Sequence, residues 1–340
     1  MTPCNCTLAV REPMTCLCLP TIMHLSIRWF FRSSARRVLA NIFVLALLCN
    51  CRCTPKQVPP PVHPPNFDAN RAFENLKQLC DFGPRNHGSD GKAQAEKWIQ
   101  ERLNEAGAEV SLHEFNYTPV QSQKAEHFTN IVGRILPAAE HRVMIGTHYD
   151  TRSSADHDSK KELRSTPIIG ANDGASGVAV LLEMARIWKN DPPPVGVDLI
   201  FFDGEDFGRE GAEDDYFAGS KAWVWDHPDY KPVWGIVLDM IGESSLRIMK
   251  ERTSAEKAPR IIQRVWEAAE RVHSTAFIDK KLGAVSDDHT AFLEKGLPVI
   301  LLIDIDYPPY HTTQDLPDKC SPESLGQVGF AVMEAISAPH

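Results

Sequence analysis

Residues 199–208 read LIFFDGEDFG, four apolar residues running straight into Asp203, Gly204, Glu205 and Asp206. A short continuous apolar run of this kind marks a strand covered on both faces, as in a parallel sheet between helical layers. Three carboxylates within four positions repel one another, and each costs free energy to take out of water. A buried strand ending this way needs solvent, basic partners or a bound cation at its tip.

Working outward, similar runs recur at 234–242 (WGIVLDMIG) and 297–305 (LPVILLIDI). Residues 109–117 (EVSLHEFNY), 129–136 (TNIVGRIL) and 141–150 (HRVMIGTHYD) also read as strands. Helical patterns lie between and around them. The one at 68–83 stops at Gly83-Pro84, a strong breaker pair. The one at 89–108 has Ser89 or Asp90 as N-cap and Gly107 just past its end. Further helices are expected at 178–190, 258–273 and 322–337. Strands alternating with helices imply an α/β fold: a single domain, residues 67–340, with a central mixed, mostly parallel twisted sheet flanked by helices. Ligands in such folds bind beyond the carboxyl ends of the strands.

The 340 residues are 43% hydrophobic and 24% charged, as in an ordinary globular protein, and a net charge of −9 argues against a nucleic-acid partner. Residues 1–53 differ in kind. Arg28, Arg32, Arg36 and Arg37 precede the apolar run VLANIFVLALL at 38–48, the layout of a signal peptide or membrane anchor, though short for a span. Residues 54–66 form a Pro-rich linker that cannot continue a helix. The expectation is an exported protein: periplasmic, secreted or tethered to a membrane by its N-terminus. Seven of the nine cysteines precede residue 54, and the remaining two, Cys80 and Cys320, read as separate buried thiols.

Polar residues follow the buried strands repeatedly. His148 and Asp150 follow RVMIG, and Asp173 sits in IGANDGASG ahead of a helix. Asp203, Glu205 and Asp206 follow DLIFF, and Asp239 ends GIVLD. Asp287, Asp288 and His289 stand in SDDHTAF, and His311 follows VILLIDIDYPPY. Each has a bland explanation alone: a helix cap, a core histidine, a solvated loop. Their convergence on one sheet edge favours a metal site, and carboxylates with imidazoles suit zinc with an open coordination position. Asp206 then binds the metal, Glu205 stands beside it as general base, and Asp203, nearer the strand, reads as structural.

The segments THYDT, GANDGASGVAVLLEMAR, FFDGEDFG, LDMIG, SDDHTAF and YHTTQD follow one another as in the zinc aminopeptidase-like family. Within it, residues 67–337 most resemble the animal-type glutaminyl-peptide cyclotransferases and their bacterial relatives. That resemblance implies one zinc ion held by Asp173, Asp206 and His311, with Glu205 as general acid/base. Asp239 and Asp287 would belong to its proton network. It also implies peptide or protein N-termini as substrates, and we expect a monomer. In the two-zinc aminopeptidases of the family, the positions of His148 and Asp239 bind a second metal and Asp173 bridges both. All of these residues are present here, so two zinc ions and aminopeptidase activity stay open. Asp287-Asp288-His289 and FFDGED are cyclase-like. GASGV is peptidase-like, the tryptophan that cyclases carry after the acidic pair is replaced by FGREG, and Tyr310 stands where they often have tryptophan. Tyr307, Tyr310 and Phe207 are candidates for the pocket wall. A catalytically silent binding domain is disfavoured because no ligand or acid of the pattern is missing.

Overall fold

The run at the centre of the sequence becomes a strand, Gly196–Phe202, buried at every residue. The computed structural model describes residues 17–22, 47–52 and 66–338, apart from 121 and 210. The chain divides into two compact units, Met1–Pro59 and Pro60–His340. In the first, strands β1 (Leu17–Ile22) and β2 (Leu47–Arg52) pair antiparallel. The basic flank, all of the Pro-rich linker but residue 66, and all but residues 47 and 48 of the apolar run lie outside the described residues. Among the described residues, no helix is long and apolar enough to cross a membrane.

The second unit opens with helices α1 (Ala69–Asp81) and α2 (Asp90–Glu105), the latter capped by the Ser89 hydroxyl, which accepts from the Lys92 N–H at 3.1 Å. Strands β3 (Glu109–Tyr117), β4 (Glu126–Ile135) and β5 (Arg142–His148) follow, then helix α3 (Ala175–Trp188) and strand β6 (Gly196–Phe202). Next come α4 (Ala218–Asp226), β7 (Gly235–Asp239), β8 (Ile248–Lys250), α5 (Arg252–Lys257), α6 (Pro259–Arg271) and β9 (Phe277–Lys281). The chain closes with α7 (His289–Glu294), β10 (Val299–Ile303) and α8 (Pro322–Ser337).

Six strands form one sheet in the order β10-β7-β5-β6-β4-β3. Neighbours from β10 to β6 run parallel, whereas β4 pairs antiparallel with β6 and with β3. The sheet is therefore mixed and mostly parallel, as the sequence predicts. Alternation along β6 explains its apolar run: Val197, Leu199 and Phe201 join the core cluster that includes α1, α3 and α8, while Ile200 and Phe202 join the one that includes Trp223 and Phe292. Both faces are covered, and the one charged residue within the strand, Asp198, is buried against the Arg142 guanidinium and the Tyr230 hydroxyl. Helix α3 is buried almost all round beneath the sheet. Cys80 and Cys320 are both buried and unpaired.

Candidate metal and acid–base site

The three carboxylates at the tip of β6 have separate fates. Asp203 Oδ2 accepts from the Thr129 N–H at 2.8 Å and pairs with Lys92 Nζ at 2.9 Å. Gly204 then turns with φ 72°, where a Cβ would meet the Phe128 ring at 2.9 Å. The next two backbone N–H groups, of Glu205 and Asp206, donate to the two carboxylate oxygens of Asp150, each at 3.2 Å. This sends the Glu205 and Asp206 side chains onward, and Asp206 Oδ1 meets Arg152 Nη1 at 3.0 Å. Asp203 is tied to Thr129 and Lys92, whereas Asp206 has a basic partner as well as metal-binding potential.

A second turn delivers Asp173. Asp315 accepts from the Asn172 and Asp173 N–H groups at 2.9 and 3.1 Å, and the Tyr307 hydroxyl donates to it at 2.7 Å. Gly174 has φ 91°, and a Cβ there would lie 2.9 Å from the Asp150 carbonyl oxygen and 3.1 Å from His148. Only glycine lets the chain enter α3 this close to both.

Asp173, Asp206 and His311 offer ligand atoms within 4.8 Å of one another. His311 Nε2 lies 3.5 Å from Asp173 Oδ2 and 3.4 Å from Asp206 Oδ1. Asp173 Oδ2 and Asp206 Oδ2 are buried without a hydrogen-bond partner. Orphaned carboxylate oxygens beside an imidazole are costly unless a cation joins them, and two oxygens with one nitrogen suit zinc. The residues fit the metal. His148, Asp173 and Asp239 make a second such trio, with His148 Nε2 at 3.1 Å from Asp239 Oδ1 and 3.2 Å from Asp173 Oδ1.

Beside these trios opens a cavity of about 360 Å³, lined by Glu205, Asp239, Asp287, Tyr310 and His311 together with apolar residues such as Ile303. Burial, reinforced by Asp206, Asp287 and Asp239 against the opposing charge of His148, holds the Glu205 carboxyl well above its ordinary range. Burial and the neighbouring Asp239 and Asp288 do the same to Asp287. Burial alone would depress His148, but Glu205 and the carboxylates of Asp150, Asp173 and Asp239 raise it well above the usual histidine range. Phe217, Met240 and His311 line the cavity with φ of 60°, 46° and 54°, a strained region for residues with a Cβ. Such strain concentrates where the surrounding fold over-determines a functional geometry.

Of the residues singled out in the sequence, Asp173, Glu205, Asp206, Asp239, Asp287 and His311 all line one cavity, and His148 touches it through Asp173 and Asp239. His289 does not join them: buried at the start of α7, it faces Glu251 at 3.5 Å. Tyr310 is a wall residue stacked on His311 at 3.7 Å between ring centroids. Tyr307 instead holds Asp315, and Phe207 packs on His87 and Phe128. The sequence reading missed Arg152 and Asp315. Arg152 follows THYDT directly, and the demand for a basic partner at the strand tip could have found it.

The model of peptidase family M28 matches residues 130–336. A glutaminyl-peptide cyclotransferase-like protein of Mus musculus is 26% identical over 271 residues, covering 70% of this chain and 67% of its own. The crystal structure of Bacteroides thetaiotaomicron glutaminyl cyclase bound to N-acetylhistamine is 33% identical with a TM-score of 0.78, covering 81% of this chain and 99% of that one. A leucine aminopeptidase precursor from Bacteroides thetaiotaomicron is 33% identical with a TM-score of 0.79, covering 82% of this chain and 100% of that one. With the family's match running from β4 to α8 and through every cluster of the site, the chain belongs to peptidase family M28.

Proposed function

We propose that the chain is a glutaminyl-peptide cyclotransferase, converting the N-terminal glutamine of peptides and proteins to pyroglutamate with release of ammonia. The observation that carries this reading is the pair Glu205 and Asp287: two buried carboxyls lining one cavity, both held above the usual range beside a trio able to bind a metal. The α-amine nitrogen bonds to the side-chain amide carbon, the carbon–nitrogen bond to the leaving group breaks, and one proton must pass from the first nitrogen to the second. Glu205 takes that proton and returns it to the departing ammonia, and a carboxyl tuned upward suits both halves of the transfer. Asp287 and Asp239 share protons with Glu205 and anchor the substrate amine. The nucleophile is tethered to its target, so proximity supplies much of the acceleration.

Asp173, Asp206 and His311 would hold one zinc ion, which supplies Lewis-acid polarisation of the amide oxygen when bound. Glutaminyl cyclases among the similar solved structures support the reading. The catalytic domain would span 67–340 and act as a monomer, and the basic flank with its apolar run supports export. One observation favours the aminopeptidase alternative: His148, Asp173 and Asp239 could hold a second ion, and two metals activate water well. Mass spectrometry of the chain with a Gln-Xaa peptide and a Leu-Xaa peptide separates the two. The Gln peptide should lose one ammonia and keep every residue, with the Leu peptide untouched. Trimming of the Leu peptide without ammonia loss from the Gln peptide would establish the alternative.

A further inference from the structure

Arg152 lies just outside the metal-capable trio, and its side chain is nine-tenths or more buried. Nη1 donates to Asp206 Oδ1 at 3.0 Å and to the Gly208 carbonyl at 3.2 Å. Nε and Nη2 donate to the two oxygens of Asp156, at 2.8 and 2.6 Å. The guanidinium carbon sits 5.2 Å from the centre of the Tyr216 ring. One planar fork is thus divided between two carboxylates from different loops, a task a lysine ammonium cannot copy.

Both carboxylates bear on the trio. Arg152 occupies Oδ1 of Asp206, whereas Oδ2 is buried without a partner. Asp156 Oδ1 stands 3.8 Å from Nδ1 of His311, while Nε2 of the same ring faces Asp173 and Asp206. The His157 N–H donates to the His311 carbonyl at 3.2 Å, fixing the backbone that carries the ring. A carboxylate on the Nδ1 side favours the tautomer whose proton is on Nδ1 and whose Nε2 lone pair faces the other two ligands. Asp156, His157 and His311 also lie close enough to suggest a third ion site, but the Arg152 cation already occupies both oxygens of Asp156.

We infer that Arg152 is a positioning residue for the metal: it holds the Asp206 carboxylate in place through Oδ1 and, through Asp156, orients His311. This rests on the reading of Asp173, Asp206 and His311 as zinc ligands. The test uses the full chain and two readouts, zinc affinity by competition with a chromogenic chelator and the visible absorption of the cobalt-substituted protein. Arg152→Met should weaken zinc binding about 10–100-fold, the usual range for an outer-shell partner, and change the cobalt spectrum. Arg152→Lys, keeping the charge but not the fork, should restore only part of the affinity. Asp156→Asn serves if Arg152→Met fails to fold, because its side chain is one-third exposed; it too should weaken zinc and move the cobalt bands. Wild-type affinity and an unchanged cobalt spectrum in a folded variant would overturn the inference. Absence of zinc and cobalt binding in the unsubstituted chain would instead overturn the metal reading on which it stands.

Discussion

Glu205 and Asp206 are adjacent, yet their surroundings push their carboxyls in opposite directions. Burial raises both. At Asp206, His311 and Arg152 outweigh it and hold the group below its ordinary range, as suits a charged ligand. At Glu205 the nearby Asp206, Asp287 and Asp239 add to burial, and His148 does not compensate. Environments that separate two neighbouring titrations support the roles proposed for them, one electrostatic and one proton-carrying. Glu205→Gln keeps the shape of the side chain and removes the proposed proton carrier. It should retain zinc and the fold while lowering kcat about 10²–10⁴-fold, the usual contribution of general acid–base catalysis. Turnover close to that of the unsubstituted chain would move the role to Asp287 or Asp239.

Among the elements, the short α5 shows how a loop around the site is held. Glu251 caps this helix, its carboxylate accepting from the Thr253 and Ser254 N–H groups at 2.8 and 2.6 Å, and it also accepts from Val285 at 3.2 Å, beside Asp287. Burial opposes its ionisation, but His289 and those N–H donors depress the carboxyl from 4.5 to about 2. A depressed folded-state value contributes stability that is full above the unfolded value and fades as pH falls from 4.5 toward 2. Glu251→Gln should therefore cost about 1.5–3 kcal/mol at neutral pH, the range for hydrogen bonds to a charged group. The deficit should shrink as urea midpoints are followed down through pH 4; a deficit constant with pH would refute the role. The same region shows what the sequence could and could not reveal. The strands β3, β6, β7 and β10 were legible because alternation or unbroken apolar runs follow directly from which faces are covered. Helix α4 escaped, since nine residues entered from Phe217 at positive φ give too little periodicity to read. SDDHTAF delivered Asp287 to the cavity, but α7 begins at His289 and turns that ring toward Glu251. Arg152 reaches Asp206, and Asp315 reaches the Asn172 and Asp173 N–H groups, across distant loops, and spacing along the chain does not show those meetings.

At the scale of the whole molecule, the site is where loops from β5, β6, β7 and β10 and the turns ahead of α3 and α7 bring negative charge together in a buried place. Folding assembles Asp173, Glu205, Asp206, Asp239 and Asp287 against their mutual repulsion, with His148, His311 and Arg152 offsetting part of it. A cation that binds the folded chain and not the unfolded one stabilises by mass action, by about 2.7 kcal/mol when free metal is a hundred times its dissociation constant. For a domain of this size that corresponds to a rise in Tm of roughly 5 °C. Chelation should thus lower Tm by about that amount, and returning zinc should restore it. His311→Ala, which removes the only imidazole of the Asp173–Asp206–His311 trio, should melt at the chelated temperature and ignore added zinc. If zinc still raised the Tm of that variant as it does the unsubstituted chain, the stabilising ion would sit elsewhere, with His148, Asp173 and Asp239 the remaining buried set among the described residues able to hold it.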